Sequence, residues 1–209
     1  MIKNLNLAGT WDFAMDPEKK GIDEHIYSKE FSDNIPLPGT ISMAQKGTPS
    51  DVKETGFLTD PYLFEGYAWY AKEIDLDRTD LDKNIILYLE RTRMTKVWVD
   101  DQLVGDFDSL NTPHEYDLTP YLKQTHFRLT ILVSNVDYPT KGGHLTSPDT
   151  QTNWNGIIGE IALHIFDQCY IKNVKTFPDT KTRTVRVTFD TVNTTKEEHE
   201  LTLQTQAFL

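Results

Sequence analysis

The segment His126–Asn135, HFRLTILVSN, alternates apolar and polar side chains, except that Leu132 is apolar. The residues of one face are apolar: Phe127, Leu129, Ile131 and Val133. Those of the other face are polar: Arg128, Thr130 and Ser134. Successive side chains of a β-strand point to opposite faces of the sheet. The pattern therefore predicts a strand with one face in the core of an antiparallel sheet.

The segments around this strand carry similar patterns. Thr95–Phe107, TKVWVDDQLVGDF, predicts a hairpin that turns at Asp100 and Asp101. Asn84–Glu90, NIILYLE, is apolar on both faces and predicts a central, doubly buried strand. Further strands are predicted at Thr10–Met15, Tyr67–Leu76 and Glu160–Phe166. No segment keeps a 3.6-residue period, so the sequence predicts an all-β antiparallel sandwich. Its predicted core contains Trp11, Leu87, Val97, Leu129, Ile131, Val133 and Ile161.

The pattern changes near Phe166. Three strand-like runs follow: Cys169–Phe177, Thr182–Asp190 and His199–Leu209. Three strands are too few to close a sandwich, which typically takes about seven. We therefore expect one complete sandwich over residues 1–166 and the opening strands of an incomplete second one over residues 167–209. On this interpretation the chain is part of a longer protein.

Charge and cysteine content exclude several classes of protein. The 209 residues carry 21 basic and 32 acidic side chains, a net charge of −11. No basic cluster is present, so neither a nucleic-acid partner nor attraction to anionic lipid is expected. No apolar stretch is long enough to span a bilayer. A single cysteine, Cys169, excludes an internal disulfide and is predicted to be a small buried hydrophobe. No cofactor motif appears, and the compartment, bacterial periplasm or cytoplasm, stays open.

Five segments in a fixed order carry a family resemblance. They are LAGTWDF (7–13), PLPGT (36–40), GYAWYAKEIDL (66–76), the stretch Thr95–Leu122 and NWNGIIGEIAL (153–163). Together they resemble the N-terminal sugar-binding domain of family 2 glycoside hydrolases, the group of β-galactosidases, β-glucuronidases and β-mannosidases. The resemblance covers roughly residues 5–166.

The resemblance implies an architecture and a division of labour. A jelly-roll sandwich, galactose-binding-domain-like, comes first; an immunoglobulin-like sandwich and a TIM barrel follow. The two glutamates of a retaining mechanism lie on the barrel. The chain is therefore expected to hold no catalytic residue and to be inactive alone. Its glutamates, Glu65 among them, are predicted to be solvated carboxylates. Its implied partners are a carbohydrate substrate and the missing immunoglobulin-like and TIM-barrel domains of the same chain, and self-association of the full enzyme stays open.

The segment Thr150–Glu160, TQTNWNGIIGE, gathers three amides around Trp154. Planar amides donate and accept hydrogen bonds, as sugar hydroxyls require, and an indole ring offers an apolar platform. In the resembling family, the loop before this closing strand extends toward the active site of the barrel. Asp149, Asn153 and Trp154 are therefore candidate substrate-binding residues, expected to be solvent-exposed at one end of the sandwich. The alternative is that Trp154 folds back as a lid while the amides make local turn bonds.

A second loop adds a weaker candidate. Asp60 lies in TGFLTDPYLFEG (55–66), and in relatives the segment before the aromatic-rich strand at Tyr67 also approaches the substrate. Asp60 is therefore a further candidate for substrate binding.

Other polar residues predict no site. His144 and Asp149 together supply too few ligands for a metal. Ser109, His114 and Asp117 do not form a catalytic triad, and no G-x-S-x-G motif exists. His114 is predicted to be a hydrogen-bonded turn residue.

Two other functions remain open at this point. The chain could be a free-standing lectin-like carbohydrate-binding module. It could also be a structural or interaction domain with Trp154 in a domain interface.

Overall fold

The structure is a computed structural model, and it describes residues 3–53, 55–56, 58–140, 142–143 and 152–206. The chain divides into two compact units, one from residue 2 to residue 165 and a second from Phe166 onward. Among the described residues, no helix has the length and apolar character needed to cross a membrane.

Short strands joined by turns account for the secondary structure. In chain order they are β1 (Lys3–Asn6), β2 (Gly9–Asp16), β3 (Asp33–Leu37), β4 (Gly39–Thr40), β5 (Thr48–Pro49), β6 (Tyr62–Leu63), β7 (Tyr67–Asp75), β8 (Asn84–Leu89), β9 (Met94–Val99), β10 (Gln102–Phe107), β11 (His114–Asp117), β12 (His126–Ser134), β13 (Gly156–Ile157), β14 (Ile161–Phe166), β15 (Cys169–Asp179) and β16 (Thr184–Asn193). Single 3-10 turns occur at Ile26–Ser28, Arg78–Asp80 and Thr119–Tyr121.

Two main sheets build the first unit, which also contains the two short strand pairs β13-β4 and β5-β6. A six-stranded sheet has the order β10-β9-β12-β7-β2-β3, and a four-stranded sheet has the order β1-β14-β8-β11. Strand β12 pairs antiparallel with β7 from His126↔Asp75 to Ser134↔Tyr67, and with β9 on its other side. The predicted hairpin is present, since β9 and β10 pair across a turn in which Asp100 has a φ of 50°. The all-β antiparallel sandwich predicted from the sequence is confirmed.

The core lies between the two sheets. All seven residues predicted for it are buried: Trp11, Leu87, Val97, Leu129, Ile131, Val133 and Ile161. The segment Asn84–Glu90 is predicted to be a central strand buried on both faces. It does form an internal strand, but only one of its faces is fully buried. Strand β8 is internal to its sheet, but Ile86 and Tyr88 on its outer face are only half-buried.

The outer face of the six-stranded sheet is also covered, which the alternation of β12 does not predict. Trp69, Trp98 and Leu132 form a second apolar cluster beneath the segment 17–31. Tyr27 stacks on Trp98 with ring centroids 5.1 Å apart. The carboxylate of Asp16 accepts hydrogen bonds from the indole N–H of Trp69 (3.3 Å) and the backbone N–H of Gly21 (2.8 Å). These contacts explain why the polar face of β12 is buried at Thr130 and Ser134.

A polar network centred on His114 joins the two sheets. His114 is fully buried at the start of β11, and its Nε2 donates to the carbonyl oxygen of Ser109 at 2.7 Å. Its Nδ1 then accepts from the hydroxyl of Thr95 on β9 at 2.6 Å. The hydroxyl of Tyr116 lies 2.6 Å from the same threonine oxygen. Burial lowers the pKa of His114 below its ordinary value, which matches the neutral imidazole that these bonds require. His114 is hydrogen-bonded, as the sequence predicts, but it is the first residue of β11 and not a turn residue.

The second unit is a two-stranded ribbon. Strands β15 and β16 pair antiparallel, with a register shift between Lys172 and Lys175. The third strand predicted at 199–209 is wrong for the described residues, since 199–206 form no strand. Residues 199–206 make no ladder of backbone hydrogen bonds with β15 or β16. An extended segment without such bonds does not form a stable strand. Cys169 is half-buried, not fully buried as predicted, and its thiol donates to Asn193 Oδ1 at 3.3 Å.

Truncation of a core leucine tests the assignment of the core. Leu129→Ala is expected to lower the free energy of unfolding by about 2–5 kcal/mol, because the cavity it leaves adds to the lost burial. Leu103→Ala is the matched control, since Leu103 is 49% exposed on the edge strand β10. We expect that control to change stability by no more than about 0.5 kcal/mol. Equal losses in urea unfolding would contradict the sandwich core described above.

The His114 network predicts a pH dependence. Because the pKa of His114 is lower in the folded state, the unfolded state binds more protons between the folded value and about 6.5. Its contribution to stability is therefore complete above about pH 6.5 and is lost as the pH falls toward the folded value. The Tm of the wild type should fall between pH 7.5 and 5.5 by more than that of His114→Gln. The hydrogen bond to Asp75 raises the pKa of the exposed His126. The contribution of His126 to stability therefore increases as the pH falls, opposite to that of His114. His126→Gln is therefore the control, and it should not reduce the loss. Identical pH profiles for the wild type and His114→Gln would refute the assignment.

Candidate functional site

An open cleft lies at one end of the sandwich, between the segment 48–65 and the segment 152–153. Its volume is about 270 Å³, and it is lined by Ser50, Val52, Leu58, Thr59, Asp60, Leu63, Glu65, Thr152 and Asn153. An adjoining cavity of about 280 Å³ shares Asp60, Leu63, Glu65 and Asn153. Asp60 and Asn153, two candidates from loops distant in sequence, therefore lie together. The apolar wall is unusually open to solvent, because Val52, Leu58 and Leu63 are all more than half exposed.

A short hairpin holds the first wall of the cleft. Strand β5 pairs with β6, and the backbone N–H of Ser50 donates to the carbonyl oxygen of Pro61 at 2.9 Å. Gly47 precedes β5 with a φ of 102°, and a Cβ added there would lie 2.6 Å from the carbonyl oxygen of Leu63. A side chain at this position would separate the strands, so the glycine is required for the close approach.

Asn155 anchors the second wall from inside the sandwich. The residue is 2% exposed, and its amide nitrogen donates to the carbonyl oxygen of Val133 at 2.9 Å. Its Oδ1 accepts from the hydroxyl of Tyr70 at 3.0 Å. Burial raises the pKa of that tyrosine, so the hydroxyl stays a donor. Asn155 is therefore a structural residue, and it is unavailable to a ligand.

Asn153 lies two residues earlier and reaches the cleft. Its Oδ1 accepts from the hydroxyl of Tyr138 at 3.0 Å, and its Nδ2 donates to Glu65 Oε1 at 3.2 Å. Its backbone carbonyl accepts from the side chain of Asn135 at 2.7 Å. Burial raises the pKa of Tyr138 to about 12, which keeps its hydroxyl protonated at neutral pH. Each amide atom of Asn153 makes one hydrogen bond to the described residues and has the chemical capacity for a second.

Trp154 packs against a buried cation. The guanidinium carbon of Arg93 lies 4.1 Å from the centroid of the indole ring, and Arg93 Nε donates to the carbonyl oxygen of Trp154 at 3.2 Å. The predicted solvent exposure of Asn153 and Trp154 is therefore wrong: both are half-buried. Cation–π contact and side-chain hydrogen bonds draw them onto the sandwich. Asp149 lies outside the described residues, as does His144.

Sequence reasoning missed four residues of this site. Glu65, Arg93, Asn135 and Tyr138 all contact the segment 152–154, but only Glu65 lies near a predicted candidate. No pattern distinguishes Arg93, which is buried, from Arg91, which is exposed two residues earlier. Within the described part of the chain, no group of three or more histidine, cysteine or acidic side chains is placed to hold a metal ion.

The fold and the order of its segments match a known family. The family described as glycosyl hydrolases family 2, sugar binding domain, matches residues 2–166. The chain belongs to this family. The resemblance carried by the five ordered segments is thereby confirmed.

Individual relatives of this family 2 sugar-binding domain are glycoside hydrolases. A β-galactosidase of Thermoanaerobacter pseudethanolicus is 29% identical over 124 residues, which cover 56% of this chain and 16% of the relative. A β-glucuronidase of Paenibacillus borealis is 26% identical over 133 residues, which cover 63% of this chain and 21% of the relative. The chain thus corresponds to a small part of the length of each.

Solved structures share the fold. The crystal structure of a Ruminococcus gnavus β-glucuronidase covers 95% of this chain with a TM-score of 0.69 at 17% identity, over 34% of its own length. A Faecalibacterium prausnitzii β-glucuronidase covers 92% with a TM-score of 0.67 at 21% identity, over 36% of its own length. At such identities the likeness establishes the fold alone.

Two asparagines of the sugar-binding domain should differ sharply in their effect on stability. Asn155→Ala leaves the carbonyl of Val133 and the hydroxyl of Tyr70 buried without this partner, and should cost about 1–3 kcal/mol. Asn153→Ala is the matched control and should cost at most about 1 kcal/mol, because its partners are only partly buried. Chemical unfolding of both variants measures the difference. A loss for Asn153→Ala as large as that for Asn155→Ala would show that Asn153 is also structural.

Proposed function

We propose that this chain is the non-catalytic sugar-binding domain of a larger family 2 glycoside hydrolase of the β-galactosidase or β-glucuronidase type. Its cleft forms one wall of the substrate site, with Asp60, Asn153 and Trp154 as binding residues. One observation carries the proposal: Asp60 and Asn153 come from separate loops, yet line the same open cleft. Asp149 is retained as a candidate on the family resemblance alone.

The chemistry of the cleft suits a carbohydrate. The carboxylates of Asp60 and Glu65 accept hydrogen bonds from sugar hydroxyls, and the amide of Asn153 both donates and accepts. The exposed side chains of Leu58 and Leu63 offer apolar surface to the C–H face of a sugar ring. Polar groups beside apolar surface in an open cleft are typical of a site that orients a small polar ligand.

The remaining parts of the enzyme are assigned by the same proposal. Residues 1–166 form the jelly-roll domain, and residues 167–209 begin an immunoglobulin-like sandwich. A TIM barrel then carries the acid/base and nucleophilic glutamates of a retaining reaction. The apolar residues exposed on the ribbon support further strands packing there: Ile171, Val174, Phe177, Val185 and Val187. The apolar surface of such a ribbon needs a cover for independent stability.

Substitution in the full-length enzyme tests the role of the cleft. Asp60→Asn and Asn153→Ala should each lower kcat/KM for an aryl β-glycoside by an amount that corresponds to about 1–3 kcal/mol of binding free energy, since each removes a polar contact to the sugar. Trp154→Ala should lower kcat/KM as well, since Trp154 adjoins Asn153 in the same wall and its indole ring is the candidate apolar platform for a sugar ring. Asp23→Asn and Asn111→Ala are the matched controls, because both residues are exposed and line neither cavity. These controls should leave kcat/KM unchanged.

Other outcomes identify the competing functions. The 209-residue chain alone should hydrolyse no aryl glycoside and bind sugar weakly or not at all, because only one wall of the site is present. Sugar binding by the chain alone that matches the affinity of the full enzyme would indicate a free-standing lectin-like module. Unchanged kcat/KM in all three cleft variants would indicate a structural domain.

A further inference from the structure

Arg93 is a buried cation directly behind the cleft wall. The residue is 2% exposed, and its guanidinium carbon lies 4.1 Å from the ring centroid of Trp154 and 5.8 Å from that of Tyr138. Its Nε donates to the carbonyl oxygen of Trp154 at 3.2 Å, and its Nη2 to that of Thr152 at 3.3 Å. One side chain thus binds two backbone carbonyls of the wall and packs against two aromatic rings.

A backbone ladder fixes Arg93 opposite this wall. Thr92 forms an isolated bridge with Ile157, and its hydroxyl donates to the carbonyl oxygen of Gly156 at 3.0 Å. The N–H groups of Ile158 and Gly159 donate to the carbonyl oxygens of Arg91 and Glu90, each at 3.0 Å. The chain that follows the wall is therefore held in register with the residues that precede Arg93.

Asn135 completes the attachment. It is fully buried at the end of β12, and its Nδ2 donates to the carbonyl oxygen of Asn153 at 2.7 Å. The same nitrogen donates to the carbonyl oxygen of Phe64 at 2.7 Å, and Oδ1 accepts from the N–H of Gly66 at 3.0 Å. The three consecutive carbonyls of Thr152, Asn153 and Trp154 are therefore all bound by side chains of the sandwich.

We propose that Arg93 and Asn135 are positioning residues that hold the segment 152–154 in its binding conformation before any sugar arrives. The assignment rests on the proposed function of the cleft, and it adds residues that touch no sugar themselves. A wall ordered in advance spares the ligand the loss of conformational entropy that ordering a loop would require. Asn153 and Trp154 owe their placement to these two side chains.

The geometry requires arginine in particular. A guanidinium is planar, so it stacks on an indole ring while its N–H groups diverge toward two acceptors. A lysine keeps the positive charge but lacks the flat face and the fork. Arg93→Lys therefore separates the need for a charge from the need for this geometry.

Fluorine NMR of the 209-residue chain labelled with fluorotryptophan tests the positioning directly. The chain has four tryptophans, and Trp11, Trp69 and Trp98 are buried, so they report on the rest of the sandwich. Trp154→Phe assigns the fourth resonance. Arg93→Met should shift and broaden the Trp154 resonance alone, and Arg93→Lys should do the same. Arg91→Met is the matched control and should change nothing, because Arg91 is exposed.

Kinetics of the full-length enzyme test the consequence for binding. Arg93→Met should raise KM for an aryl β-glycoside about tenfold with kcat nearly unchanged. In an enzyme that already carries Trp154→Ala, Arg93→Met should raise KM by much less than tenfold, because both substitutions disturb the same wall. Asn135→Asp keeps the acceptor for Gly66 and loses the donated bonds. That variant should also raise KM.

The outcomes separate this inference from the proposed function. An unchanged Trp154 resonance in Arg93→Met overturns the positioning role, and so does full additivity of the Arg93 and Trp154 effects on KM. A broadened Trp154 resonance combined with unchanged KM in the Asn153, Trp154 and Asp60 variants refutes sugar binding by the cleft while the positioning role stands. Changes in all four tryptophan resonances would indicate general loosening of the sandwich and would also overturn the inference.

Discussion

A single buried amide, that of Asn135, connects the parts on which the cleft depends. Its oxygen and nitrogen bind the N–H of Gly66 and the carbonyls of Phe64 and Asn153, so the start of β7, the end of the 48–65 hairpin and the second wall meet at one side chain. Residue 135 directly follows β12, the internal strand that pairs with both β7 and β9. The position of the cleft therefore depends on a strand that is hydrogen-bonded on both sides within the six-stranded sheet. Most of the residues that line the cleft lie in loops, and their placement depends on the strand to which Asn135 joins them.

Buried polar groups serve two separate purposes in this domain. Between the sheets, His114, Thr95 and Tyr116 satisfy one another and fix the relative placement of β9 and β11. At the end of the sandwich, Arg93 and Asn135 satisfy backbone carbonyls that no strand partner reaches. In both places the low dielectric environment strengthens bonds that are fully paired and penalises any that are not. The domain thereby gains a defined geometry where hydrophobic packing alone leaves several arrangements close in energy.

The sequence predicts the sandwich well because the relevant signals are local. The alternation in His126–Asn135 depends only on the period of a strand, and the predicted core residues Leu129, Ile131 and Val133 follow from it. The site is harder to predict because its signals are not local. Asn153 and Asn155 are two residues apart and share a motif, so no periodic pattern separates them. Their contacts separate them: Asn155 bonds to Tyr70 and Val133 inside the sandwich, whereas Asn153 bonds to Tyr138 and to Glu65, which lines the cleft. The cover formed by 17–31 was missed for the same reason, since it lacks any repeating pattern of its own.

Gly156 constrains how such domains diversify. Its φ is 149°, and a Cβ there would lie 2.2 Å from the carbonyl oxygen of Gly39 on the paired strand β4. No L-amino acid with a side chain fits this pairing, whatever lies in the cleft three residues away. Of the residues that line the cleft, Val52, Leu58 and Leu63 are exposed, whereas Asn153 is half-buried. A side chain at position 156 would therefore disrupt the pairing of β13 with β4, whereas an exposed residue that lines the cleft, such as Leu58, can be exchanged without touching that pairing.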